Sequence, residues 1–370
     1  MEDYRGLYIH IPFCVKKCAY CDFVSYCNRE ADFDQYIKSV LAEAEEYKGE
    51  KIDTVFIGGG TPTILNHKQI TSLAKGIGKI FDIKPNAEYT IEANPKTLSK
   101  EKLKALYECG INRISVGVQS FCDSELVAIG RIHNANEAYK TIEEIKKFGF
   151  DNFNIDLMLN LPNQTMGSLE KTLKTTIESE PSHVSCYSLI LEENTPLWAD
   201  YQKGKYTEPD DEFDRELYHF AVDYLKQYGY GQYEISNFAK KGMECAHNIK
   251  YWSCDEYIGL GVAAHSYYKG VRYYNTTSLA QYMKGDYHTD DRITLSQKDM
   301  ISEYMIMKLR MCDGINDKEF CKKFGCDVDE IYHDVLQKMM RNHLMKYENG
   351  FYSLTEYGMD ISNTVLCELV

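Results

Sequence analysis

The chain has 370 residues, 44% of them apolar and 26% charged, enough for one large domain with one or two smaller additions. Its formal net charge of −14 argues against non-specific binding to nucleic acid or anionic membranes. No stretch has the apolar length of a membrane span, and the opening MEDYRGLYIH lacks a signal-peptide pattern. The expectation is a cytoplasmic protein, neither integral to a membrane nor a nucleic-acid binder. There the 13 cysteines are thiols or metal ligands rather than disulfides.

In chain order, short β-branched runs alternate with longer amphipathic segments. Strands are expected at 6–11, 53–57, 88–92, 112–118, 152–157 and 183–190. Several are near-continuous apolar runs, as in parallel strands covered on both faces. Helices are expected at 32–47, 68–80 and 100–109, with Gly110 as a stop, and at 212–228. Six βα units in roughly 230 residues fall short of a full eight-unit barrel. The fold class is therefore α/β, a partial (β/α)6 TIM-like barrel over residues 1–235. Residues 236–291 read as an irregular extension rich in aromatic residues and glycine. Residues 292–370 read as a smaller, mainly helical, winged-helix-like domain in which Asn349-Gly350 suits a type I′ hairpin turn. This last segment has more acidic than basic residues, which favours a structural or lid role over DNA reading.

Directly after the first strand, HIPFCVKKCAYCDF sets Cys14, Cys18 and Cys21 in a CxxxCxxC spacing. Three thiolates from one loop can hold three irons of a 4Fe–4S cubane, which normally takes four, leaving one iron open to a small chelating ligand. Zinc is the competing occupant. It would need a fourth ligand, and nearby His10 and Cys27 give no familiar zinc pattern. Cys321 and Cys326, a second pair, read as core residues.

In parallel α/β folds, functional groups gather at the C-terminal ends of strands. The second strand runs into Gly58-Gly59-Gly60-Thr61-Pro62, a turn whose backbone a ligand can approach closely. The third ends at Glu92, the fourth at Gln119 with Arg131 twelve residues on, and the fifth at Asp156. Each alone suits a cap or loop; together they ring one barrel mouth.

On these residues, 1–235 resembles the radical S-adenosylmethionine superfamily, with Tyr20 before the last cysteine as part of the signature. The resemblance implies that the open iron chelates S-adenosylmethionine, whose reductive cleavage gives a 5′-deoxyadenosyl radical. Gly59, Gly60 and Thr61 match the family's turn for the methionine amine. Tyr8, Glu92, Gln119, Arg131 and Asp156 match cofactor-contacting positions of the oxygen-independent coproporphyrinogen III oxidase branch. That likeness runs the whole length of the chain.

Two features depart from the decarboxylating oxidase. Phe23 stands where it has a fourth cysteine, and the first strand begins within a few residues of Met1, where the oxidase has a long arm. A third feature, His247-Asn248-Ile249-Lys250-Tyr251-Trp252, reads HNxxYW and is similar to a signature of haem chaperones in this branch. His247 would then be an axial haem ligand, with Tyr251 and Trp252 at the tetrapyrrole rim. His265, in GVAAHS, is a second histidine expected to have a structural or cofactor-pocket role. The resemblance thus implies three cofactors: a 4Fe–4S cluster, S-adenosylmethionine and haem. The first expectation for function is a haem chaperone that passes haem to haem-accepting proteins. The alternative is radical decarboxylation of porphyrinogen propionates, and a weaker third reading is radical modification or opening of haem. The resemblance leaves room for an electron donor such as flavodoxin or ferredoxin, and for a homodimer.

Overall fold

A computed structural model describes residues 4–207 and 210–369; part of the N-terminal segment read above for targeting lies outside them. The six expected strands are all present: β1 Arg5–Ile11, β2 Lys51–Gly59, β3 Asp82–Ala93, β4 Arg113–Gln119, β5 Phe153–Leu159 and β6 His183–Ser188. They pair in chain order, and every pairing is parallel. All seven residues of β4 are buried, Ile114, Val116 and Val118 on one face and Arg113, Ser115, Gly117 and Gln119 on the other, as in a strand covered on both faces. The intervening helices Phe33–Ala44, His67–Ile80, Lys100–Glu108 and Asp211–Gln227 fall within a few residues of expectation. Gly110 follows the third in the left-handed region, φ +77°.

The region expected to be irregular is instead largely strand. β7 Gly231–Glu234, β8 Asn237–Ala239, β9 Tyr257–Leu260, β10 His265–Tyr268, β11 Val271–Asn275 and β12 His288–Thr294 extend the sheet at both ends. The order is β12-β11-β10-β9-β1-β2-β3-β4-β5-β6-β8-β7. The sheet is mixed, because β9 lies parallel to β1 while β8 and β10–β12 add antiparallel pairs. Runs this short carry too little periodicity to be distinguished from loop. Their Tyr-rich composition, which suits strands, is the signal that was available.

A second hydrophobic cluster, including Ile301, Met305, Phe320, Leu336 and Leu354, joins the helices beyond residue 296 to a small sheet of β13 Ile315–Asn316, β14 Met345–Glu348 and β15 Phe351–Leu354. Between β14 and β15, Asn349 and Gly350 both have positive φ, 54° and 84°, as a type I′ turn demands. Cys326 packs against this cluster and Cys321 is only half-buried, so neither is a fully buried core residue.

The largely apolar seam between the parallel strands and the extension holds one buried polar knot. Glu43, fully buried on helix Phe33–Ala44, accepts from the Gly261 amide at 2.9 Å, from Asn275 Nδ2 at 2.6 Å and from the Tyr282 hydroxyl. Burial pushes its carboxyl up to about 7 despite those three donors. Glu43→Ala strands all three, so urea denaturation should show a loss of about 2–4 kcal/mol, with Glu43→Gln losing less because an acceptor remains.

Candidate functional site

The loop after β1 is tied back on itself before it reaches the rest of the site. Cys14 N–H donates to the Tyr26 carbonyl at 3.0 Å and Tyr26 N–H to that of Pro12 at 2.7 Å. His10, buried on β1, shares one ring nitrogen with the Val24 carbonyl at 3.0 Å and the other with the Tyr8 hydroxyl at 2.9 Å. Cys14, Cys18 and Cys21 therefore occupy one short, braced segment and line one cavity. Burial pushes the Cys14 thiol up and that of Cys21 to about 11, so both are neutral thiols until a metal takes their protons.

The residues that ring this cavity are largely those expected. Gly59, Gly60, Thr61, Glu92, Gln119, Arg131 and Asp156 line it together with the three cysteines. Gly59 has φ +110°, and a Cβ there would fall 2.5 Å from the His10 ring. One on Gly60 would fall 3.0 Å from Cys14 Sγ and 2.6 Å from the Phe13 carbonyl oxygen. Only glycine lets this turn close on the cysteine loop.

Arg131 reaches across the mouth. Its Nη1 donates to Cys18 Sγ at 3.3 Å, its Nη2 to Asn94 Oδ1 and the Gly117 carbonyl, and its Nε is buried with no partner among the described residues. Asn94 in turn donates to Thr61 Oγ1 at 2.8 Å. A fixed cation beside a sulfur suits a thiolate. Among the described residues no three His, Cys, Asp or Glu side chains converge on one point as a mononuclear site needs. A cubane needs no such convergence, because each thiolate takes a different iron. The thiols, the guanidinium and the open glycine turn thus fit a cluster that faces a ligand.

Two carboxylates are held here at a cost. Glu92 is fully desolvated and faces Asp156, which together push it up to about 8 even though Gly59 N–H donates to its Oε2 at 2.9 Å. Asp156 is also raised by burial, although it accepts from Asn154 at 2.6 Å and Ser115 at 3.2 Å. Tyr187, on the sixth strand that offered no candidate by sequence, completes the wall, with Ser115, Gly117 and Asn94.

Tyr8 does not join this group. It lines a second, larger cavity of about 870 Å³, with His10, Tyr251, Trp252, Tyr257, His265 and Tyr274 on its wall, and lies near enough to Glu92 to feel its charge. Phe23, 62% exposed, lines both cavities. Tyr251 and Trp252 stand on helix Ala246–Trp252, whose first amides are received by the Glu88 carboxylate of β3 at 2.9 and 3.0 Å. Lys250 of the same helix pairs with Asp53 of β2 at 2.9 Å.

His247 does not line that cavity. It is 1% exposed and stacks on Phe56, and both ring nitrogens are engaged, Nδ1 with Thr54 Oγ1 at 2.9 Å and Nε2 with the Tyr251 hydroxyl at 2.8 Å. Burial, then the charges of Lys250 and Arg113, push its pKa down to about 3. The His247 ring thus fastens the helix to β2 and orients Tyr251.

Because the folded Glu92 titrates near 8 rather than 4.5, the ligand-free native state keeps a proton that the unfolded chain releases across that window. Stability therefore falls as pH rises from 4.5 to 8. Glu92→Gln removes this loss, so its thermal midpoint should exceed that of the parent at pH 8 and not at pH 4.5, as calorimetry across that range would register.

The Radical SAM superfamily model matches residues 8–176 and the HemN C-terminal domain model residues 295–361. The heme chaperone HemW of Lactococcus lactis is 37% identical over 368 residues, covering 99% of this chain and 97% of its own. That of Bacillus subtilis is 37% identical, with 98% of each chain covered. The solved structure of Escherichia coli coproporphyrinogen III oxidase (HemN), a radical SAM enzyme, superposes with a TM-score of 0.86 at 24% identity, over 99% of this chain and 90% of that one, and so shares the fold. With near-complete coverage by relatives more than one-third identical, the chain belongs to the HemW family, in the HemN/HemW branch of the radical S-adenosylmethionine superfamily.

Proposed function

We propose that this chain is a cytoplasmic haem chaperone that carries haem beside a 4Fe–4S cluster and S-adenosylmethionine and delivers the haem to haem-requiring proteins. The observation that carries this reading is the aromatic-walled cavity of about 870 Å³ beside the cysteine loop, within the range of a built ligand site. Its Tyr and Trp walls suit a flat, largely apolar macrocycle, and the buried Trp252 Nε1 has no partner among the described residues. Phe23, at the position of the oxidase's fourth cysteine, offers that cavity an apolar face where a thiol would offer a metal ligand.

In this reading Cys14, Cys18 and Cys21 hold three irons. Gly59, Gly60 and Thr61 receive the amino-acid end of S-adenosylmethionine, and Glu92 accepts from its amine. Gln119, Arg131 and Asp156 complete its contacts, and Tyr8 contributes from beside Glu92. When bound, the cluster and S-adenosylmethionine supply one-electron chemistry, fed by a donor such as flavodoxin or ferredoxin. Tyr251 and Trp252 line the haem cavity, with His247 behind them. The six parallel strands form a partial barrel over residues 1–235, residues 236–291 carry the haem wall, and the winged-helix-like segment 292–370 covers it. Regulation through a homodimer is compatible with this arrangement.

Arg131→Ala removes the donor to Cys18 and should lower the iron and sulfide retained after anaerobic reconstitution, measured against protein content. The decisive assay is anaerobic, with S-adenosylmethionine, a reductant and the cluster-loaded protein. Haem titration should give a Soret band, and the bound haem should pass to an apo-haemoprotein. Coproporphyrinogen III should remain unconverted. Steady formation of protoporphyrinogen would replace the chaperone reading with the decarboxylase.

A further inference from the structure

Three imidazoles stand at or beside the large cavity, and the structure separates them by what their nitrogens are doing. His10 is spent on Tyr8 and Val24, at 2.9 and 3.0 Å. His247 is spent on Thr54 and Tyr251, at 2.9 and 2.8 Å, and lies outside the lining. His265 lines the cavity, is exposed to it, and has no hydrogen-bond partner for either nitrogen among the described residues. We propose that His265, rather than His247 of the HNxxYW segment, is the imidazole that ligates the haem iron, and that His247 is a positioning residue. This rests on the haem-carrier reading above.

The local backbone is built to hold His265 in place. It opens β10, paired across the hairpin with Tyr274, and its ring stacks on the Tyr274 ring at 5.2 Å and 25°. Ala263, two residues earlier, turns the chain through φ +56°. Gly259 packs so tightly beneath that a Cβ there would lie 2.0 Å from the His265 carbonyl oxygen. The glycine-rich YIGLGVAAHS run thereby acquires a purpose: it seats one imidazole on the cavity wall with its ring orientation fixed and its nitrogens free. Burial and the nearby Arg272 charge lower its pKa, which keeps the ring in the neutral form that binds metal.

Other iron donors on the wall are less suited. Met307 offers a thioether from helix Gln297–Lys308, the kind of group that serves opposite a histidine rather than in place of one.

The test is haem titration of the full chain, its His265→Ala and His265→Cys variants and His247→Gln, read by absorption and low-temperature electron paramagnetic resonance. Each variant's thermal midpoint is recorded alongside; His265 is exposed, so its variants should melt with the parent. The expected result is loss of the imidazole-ligated spectrum in His265→Ala, its restoration by added imidazole, and a thiolate-type spectrum in His265→Cys. His247→Gln should retain the imidazole-ligated spectrum. A folded His265→Ala protein with the parental spectrum would overturn the assignment while leaving haem carriage intact. If the parent chain itself gave no Soret band, the haem-carrier reading would fall and the assignment with it.

Discussion

Both cavities depend on one buried strand. β1 is hydrogen-bonded in parallel to β2 on one side and β9 on the other, and Leu7, Ile9 and Ile11 are fully enclosed. A strand flanked in this way cannot shift register without turning its apolar set outward. It therefore fixes where the cysteine loop leaves the sheet. His10 transmits that position to both sides: its ring fills the space that Gly59 leaves open, and its nitrogens brace Val24 of the loop and Tyr8 of the large cavity. The cysteine mouth and the aromatic cavity thus both adjoin this strand and its loop, and Phe23 touches both.

The polar interior divides into groups that stabilise the fold and groups that are held ready for a ligand. The Glu43 carboxylate meets three donors and fastens a helix of the parallel region to the extension. Glu92 has one amide donor and a neighbouring carboxylate, an arrangement that raises its proton affinity and lowers stability at neutral pH. Arg131, with an unpartnered Nε, is another unfinished group in the same cavity. Buried charges short of partners are costly, and Glu92, Asp156 and Arg131 lining one mouth suit a site that receives a charged ligand.

The HNxxYW segment shows that the residues of a motif can divide the work. Tyr251 and Trp252 face the cavity, while His247 and Lys250 fasten their helix to Thr54 and Asp53 of β2. A histidine with both nitrogens occupied and a pKa near 3 serves as a strut. Losing it would loosen Tyr251 and so disturb the cavity wall.

The local order of residues was enough to determine the six parallel strands, their helices, the cysteine loop, the glycine turn and the Asn349-Gly350 hairpin. Each of these depends on a run of apolar residues or on backbone conformations that few residues adopt. Gathering Gly59, Glu92, Gln119, Arg131 and Asp156 at one mouth was also legible, because parallel strands all end on the same side of a sheet. Tertiary structure alone decided the rest. The short strands β7–β12 form because neighbouring edges receive them, and three to seven residues hold too little periodicity to announce that. Tyr187 enters the site through its place on β6, and Tyr8 lines the aromatic cavity. Which histidine keeps its nitrogens free could not be read from the chain, because the hydrogen bond between Thr54 and His247 joins residues that only the folded sheet brings together.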